Sequence, residues 1–124
     1  MGPDATGATL HLTTDDVWDA HRGKTHYRPE RFDAEGFIHC TNGEANLIAV
    51  GNKYYRSDPR RFLVLDIDLS RVGARAIYED ENNLYPHIYG PLDMEAVVRV
   101  RGVKRSEDGS FVAVGNDEIS HPQS

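Results

Sequence analysis

The chain has very little cysteine and no long hydrophobic run. Its 124 residues include one cysteine, which excludes an internal disulfide and a cysteine-rich zinc site. No apolar stretch approaches the roughly 18 residues that a membrane-spanning helix needs. The N-terminus has neither the basic start nor the apolar core of a signal peptide. These absences predict a single cytoplasmic domain without a membrane partner.

The chain also lacks an excess of positive charge. Lysine and arginine together number 14 against 20 aspartates and glutamates, for a formal net charge of -6. Because broad nucleic-acid binding depends on cations that meet phosphates, we do not expect an extended nucleic-acid surface. A local basic pocket is still possible, and its candidate residues are Lys24, Arg28, Arg31, Arg56, Arg60 and Arg61. The alternative is a set of scattered surface cations. The sequence has no glycine-rich dinucleotide fingerprint, no P-loop and no nucleophile elbow, so any site must be of another kind.

Alternating apolar residues indicate a strand-rich fold. The predicted strands cover about 9–13, 35–41, 62–68, 76–79, 86–90, 96–103 and 111–114. Strands outnumber helices, and their order predicts an α+β fold with a curved, split, antiparallel-rich sheet and about two helices. The expected organisation is one domain over 9–114 between flexible tails at 1–8 and 115–124.

Two helices are predicted from capping signals and helical spacing. The first follows Thr14 as N-cap and ends at Gly23. The second follows Thr41, which forms a capping box with Glu44, and it ends near Arg56. The residues expected on the buried face of the second helix are Leu47, Val50, Gly51 and Tyr54.

Three histidines occupy the middle of short predicted strands. His11, His39 and His87 each stand opposite aliphatic neighbours in sequence alternation. We therefore expect their rings on polar faces that line one pocket, where imidazoles act in proton transfer or as ligands. The alternative is three unrelated histidines that are hydrogen-bonded to the backbone. A metal site is also open, although no HxH or HExxH spacing is present.

Four further polar residues are candidates for the rim or wall of this pocket. Glu79 precedes an acidic loop and could act as a general base or a ribose ligand. Tyr89 shares the face of His87 by alternation and could stack on a ring. Tyr27 and Arg28 lie in a long connector at 24–35 that could cover the pocket, with Arg28 neutralising a phosphate.

The single cysteine, Cys40, is predicted to be a buried structural residue. It alternates with Ile38 onto the apolar side of its strand, where a thiol behaves as a small hydrophobe. A nucleophilic cysteine would need an exposed, electropositive setting.

Three motifs carry a family resemblance. The runs LHLT at 10–13, EGFIHCT at 35–41 and YPHIYGPL at 85–92 resemble the domain-of-unknown-function 952 family over roughly residues 9–114. That family in turn resembles the ADP-ribosyltransferase-like superfamily, which includes RNA 2′-phosphotransferases. In those enzymes an early strand histidine and a following strand line a cleft that holds NAD.

The resemblance implies an ADP-ribosyltransferase-like fold and an NAD- or nucleotide-handling enzyme or binder, with NAD as its candidate cofactor. It implies the following site: His11, His39, His87 and Glu79 as catalytic residues, and Tyr27, Arg28, Thr41 and Tyr89 as ligand-binding residues. Two alternatives are a metal-assisted hydrolase that uses the three histidines with Glu79 as base, and a non-catalytic module that binds a small anion or a partner.

Overall fold

Three antiparallel sheets and three short α-helices form the fold, in a computed structural model that describes residues 2–119. The strands are β1 (Ala8–Thr14), β2 (His26–Tyr27), β3 (Ile38–His39), β4 (Phe62–Asp68), β5 (Arg75–Tyr78), β6 (Pro86–Tyr89), β7 (Leu92–Asp93), β8 (Val97–Arg105) and β9 (Phe111–Glu118). The helices are α1 (Asp15–Asp19), α2 (Phe32–Glu35) and α3 (Glu44–Tyr54). The prediction of an α+β fold with antiparallel strands and few helices is confirmed.

The sheets have the orders β1-β4-β8-β9, β2-β7 and β3-β6-β5. β4 is central because it is buried on both of its faces. Leu63, Leu65 and Ile67 on one face pack into the larger core cluster, which also contains Ile38 of β3. On the other face, Val64 packs with Leu47 of α3. The four-stranded sheet is therefore covered on both sides, by the larger core cluster on one side and by α3 on the other.

The second of the two predicted helices corresponds to α3, and it begins later than its capping signal predicts. Thr41 forms an isolated β-bridge with Leu10 instead of capping α3, and the N-cap is Gly43 with no side-chain cap hydrogen bond. The predicted capping box is wrong because strand pairing takes the Thr41 backbone. Gly43 has φ of +87°, a left-handed conformation that suits glycine and turns the chain into the helix.

The buried face of α3 is narrower than the spacing predicts. Leu47 and Gly51 are buried, as expected. Tyr54 is 63% exposed, and Val50 is only half-buried. These two side chains border a cleft rather than the core, so their placement on the buried face is a correction. The first helix, α1, is also shorter than predicted and ends at Asp19.

The connector at 24–35 contains two short elements. β2 pairs with β7 through Tyr27 and Leu92, and α2 lies just before β3.

The ends of the chain pair beyond the boundaries that we expected. Ala5 donates to the backbone of β5 at 2.8 Å, and β9 continues to Glu118. Met1 and residues 120–124 of the expected tails lie outside the described residues. No helix among the described residues is long and apolar enough to cross a membrane.

Candidate functional site

A cleft of about 710 Å³ lies between α3 and the paired strands β3 and β6. Its size falls in the range of small-molecule sites. The side chains that give it chemical character are Arg31, Glu35, His39, Lys53, Glu79 and His87. Tyr54, Tyr55 and Tyr85 add aromatic surface to its walls.

Two of the three predicted histidines meet in this cleft. His39 and His87 are directly paired across β3 and β6, so their side chains lie on the same face of the sheet. Their ring centroids are 5.3 Å apart in an edge-to-face arrangement. The ring of Phe37 stacks on His87 at 4.3 Å and fixes the orientation of that imidazole.

Each of these imidazoles is held by a carboxylate. The Nδ1 atom of His87 is 3.0 Å from Glu79, which also accepts a hydrogen bond from the Tyr89 hydroxyl. These hydrogen bonds hold the pKa of Glu79 below its usual range, and the bond from Tyr89 has the larger effect. The Nε2 atom of His39 lies 3.2 Å from both carboxylate oxygens of Glu35. Since an ionised carboxylate only accepts, each ring donates its N–H to the acid and turns its other nitrogen away from it.

His11 does not join the other two histidines. Its Cα partner across β1 and β4 is Leu65, so its ring lies on the face of the sheet that packs into the larger core cluster. The residue is 5% exposed, and its two ring nitrogens bond to the backbone oxygen of His39 at 2.6 Å and the Tyr27 hydroxyl at 2.9 Å. Burial lowers its pKa to about 4, so the ring is neutral near neutral pH. The expectation of a single cavity lined by three imidazoles is therefore wrong.

Tyr27 also lies in the core rather than at the rim. It is fully buried, and its hydroxyl lies 2.7 Å from the Thr13 hydroxyl and close to His11. Burial raises its pKa. Its ring packs against Trp18 with centroids 5.4 Å apart. The proline at position 29 favours an extended backbone at Arg28. It does not indicate the side to which the ring of Tyr27 turns.

The remaining candidates are placed unequally. Arg28 is exposed, and its backbone N–H donates to His21 at 3.2 Å. Thr41 is buried but borders the cleft. The hydroxyl of Tyr89 donates to Glu79, which lines the cleft. The cations that border the cleft are Arg31 and Lys53, and Arg28 is not among them. Arg28 therefore lies outside the lining of the cleft, and its contact with a phosphate stays a prediction.

A family model described as a protein of unknown function (DUF952) matches residues 12–100. The chain belongs to this family. Of the three sequence motifs, those that carry His39 and His87 lie wholly inside the matched region. Both imidazoles of the cleft thus fall within the matched part of this DUF952 domain.

The DUF952 fold has solved relatives. Protein CC0527 from Caulobacter crescentus has a crystal structure that is similar to this chain, with a TM-score of 0.72 at 21% identity. The similarity covers 85% of this chain and 93% of that protein. A double mutant of CC0527 matches with the same TM-score and identity. No curated protein matches. At this identity the likeness shows a shared fold.

Sequence reasoning missed Glu35 as a site residue of this DUF952 chain. Glu35 ends α2, and Gly36 follows it with φ of +79°. This left-handed glycine turns the chain into β3 and brings the Glu35 carboxylate beside His39. A glutamate followed by glycine at the start of a histidine strand was the available signal. Lys53, Tyr54 and Tyr85 had no such signal, since tertiary packing brings α3 and the 80–85 loop to the same cleft.

The loop before β6 is shaped by one aspartate. The Asp80 carboxylate accepts hydrogen bonds from the backbone N–H groups of Leu84 at 2.8 Å and Tyr85 at 3.0 Å. These bonds fold the acidic loop back on itself and hold Tyr85 beside the cleft. Asp80 therefore stabilises the loop itself, whereas the neighbouring Glu79 contacts the imidazole of His87.

The structure also addresses the metal and thiol alternatives. Within residues 2–119, no group of three or more histidine, cysteine, aspartate or glutamate side chains is placed to hold a metal ion. Cys40 is 2% exposed, and burial raises the pKa of its thiol. The prediction that Cys40 is buried is confirmed.

Proposed function

We propose that this protein is an NAD- or nucleotide-handling protein and that its ligand lies in the cleft. The observation that carries the proposal is the cross-strand pair of His39 and His87, each held on a carboxylate and open to a cavity of about 710 Å³. Paired imidazoles in a cleft that cations and aromatic rings also line suit a ligand with a ring, a sugar and a phosphate.

Each part of a nucleotide has a candidate partner. Tyr85 and Tyr54 are exposed aromatic rings at the cleft, where a base can stack. The ion pair of Arg31 with Glu35 is long, at 4.0 Å, so the guanidinium of Arg31 is available to a phosphate. The imidazoles and Glu79 can meet ribose hydroxyls. The sequence resemblance to the ADP-ribosyltransferase-like superfamily supports the same choice of ligand.

The test is calorimetric titration of the purified chain with NAD, ADP-ribose and adenosine monophosphate, beside thermal melting with each compound. We expect binding by at least one of them, and we expect His39→Ala to weaken it by about 5- to 150-fold, which corresponds to roughly 1 to 3 kcal/mol for a lost polar contact. His26→Ala is the matched control, because His26 pairs with Asp93 on β2 and β7 rather than at the cleft.

Two results would contradict the proposal. One is a wild-type protein that binds none of the three compounds. The other is a His39→Ala variant that binds as the wild type does. Binding of inorganic phosphate or sulfate alone would instead identify a small-anion module.

A further inference from the structure

We propose that His39 and His87 act as an acid–base pair that hydrolyses a cyclic phosphodiester of a nucleotide. The inference rests on the proposed function and names the substrate class of the same cleft. Each carboxylate engages one nitrogen of its imidazole and leaves the other nitrogen of that ring unused.

The free nitrogens are defined by the hydrogen bonds of each ring. Among the described residues, His87 uses Nδ1 for Glu79, and His39 uses Nε2 for Glu35. Nε2 of His87 and Nδ1 of His39 are thereby left for a ligand. The carboxylates fix the tautomer and orientation of each imidazole, as an acid does for a catalytic histidine. With centroids 5.3 Å apart, the two rings can address the same small group from two sides.

The charges around the pair favour a phosphodiester over a glycosidic bond. Glycoside cleavage uses two free carboxyl groups, whereas Glu35 and Glu79 are already bonded to imidazoles here. Arg31 and Lys53 border the same cleft and can neutralise a phosphate. A 2′,3′-cyclic nucleotide is small enough for the cavity and also offers the base and ribose that the proposed function requires.

The reaction needs only water and the two histidines. The neutral imidazole takes a proton from water as the oxygen of that water forms a bond to phosphorus. The bond from phosphorus to the ribose 2′-oxygen breaks in line, and the protonated imidazole gives its proton to that oxygen. The product is a nucleoside 3′-monophosphate, no atom is oxidised or reduced, and the two rings end with their protonation exchanged.

The test is incubation of the full chain with the four 2′,3′-cyclic nucleotides, with products separated by chromatography. We expect a 3′-monophosphate product and a bell-shaped pH profile, because one ring must be neutral and the other protonated. We expect His39→Ala and His87→Ala each to lower the rate by about 100-fold or more, while His26→Ala keeps it. Each substitution should remove one limb of the profile. The other titratable or charged groups at the cleft are Arg31, Glu35, Lys53, Tyr54, Tyr55, Glu79, Asp80 and Tyr85.

The outcomes separate this inference from the proposed function. A chain that binds adenosine monophosphate but turns over no cyclic nucleotide overturns the inference and leaves the nucleotide site standing. Turnover that survives both alanine substitutions also overturns it. A chain that binds no nucleotide removes both. His39→Gln and His87→Gln keep side-chain volume and serve if an alanine variant fails to fold, which its melting curve shows.

Discussion

The Nδ1 atom of His11 lies 2.6 Å from the backbone oxygen of His39. A carbonyl oxygen only accepts, so Nδ1 carries the proton and donates it. A histidine of the core thus fixes the strand that presents a histidine of the cleft. His11 thus supports the backbone of His39, and it is not among the residues that line the cleft.

This burial predicts that acid destabilises the fold through His11. The pKa of the ring is about 4 in the folded chain against 6.5 for a free histidine. Between pH 6.5 and about pH 4, His11 is protonated in the unfolded chain but neutral in the folded chain. The contribution of His11 to the free energy of unfolding is therefore complete above pH 6.5 and falls as the pH drops towards 4. At about 1.4 kcal/mol per pH unit, the total loss is on the order of 3 kcal/mol.

The measurement is urea unfolding at several pH values between 7 and about 4 for wild type and His11→Asn. The asparagine keeps an N–H donor but does not titrate, so we expect a shallower loss of stability with acid. Carboxylates titrate equally in both chains, and the difference isolates His11. Equal pH slopes in the two proteins would show that His11 is not buried as a neutral ring. His26→Asn, at an exposed histidine, controls for removal of an imidazole.

Periodicity predicted more of the fold than of the site. The bounds of β4 match the alternation of apolar residues, and alternation in β3 and β6 sets His39 and His87 apart from their aliphatic neighbours. The pairing of the two histidines across the strands was not predicted. Alternation says which side chains share a face, but not whether that face meets water. The prediction for His11 failed for this reason, because both faces of its sheet are covered and its ring is buried.

The walls of the cleft could not be predicted for a different reason. Arg31, Lys53 and Tyr85 belong to three separate segments that meet only through tertiary packing. No local pattern encodes that meeting. Glu35 is the exception, since Gly36 reverses the chain within one residue and places the carboxylate beside His39.

Gly51 of α3 should not tolerate alanine. A Cβ atom there would lie 2.7 Å from the ring of Phe111, which is itself buried against Phe62 and the guanidinium of Arg105. Alanine gains about 1 kcal/mol in helix propensity, but overpacking of this kind costs about 1 to 3 kcal/mol. We expect Gly51→Ala to lower the melting temperature.

The double variant Gly51→Ala with Phe111→Leu tests that cause. If the ring is the obstacle, the smaller leucine should absorb part of the clash, and the two effects should be less than additive in a double-mutant cycle. A Gly51→Ala chain that is more stable than wild type would show that Phe111 yields freely.

The thiol of Cys40 should react slowly in the folded protein. It is almost fully buried, and burial raises its pKa, so both access and thiolate population are low. We expect modification by a chromogenic disulfide reagent to be slow in native buffer and complete in denaturant. Rapid stoichiometric labelling of native protein would contradict the burial of Cys40.

Ile38 and His39 are adjacent residues of β3 that should differ sharply in their effect on stability. Ile38 is fully buried in the larger core cluster, and its truncation to alanine should cost about 2 to 5 kcal/mol through lost burial and the cavity left behind. The side chain of His39 is 58% exposed and pairs with Glu35 near the surface, where such pairs contribute about 0 to 1 kcal/mol. Urea unfolding of Ile38→Ala and His39→Ala measures both. If the two variants were destabilised alike, His39 would be a structural residue, and a loss of ligand binding in His39→Ala would then report unfolding rather than a missing contact.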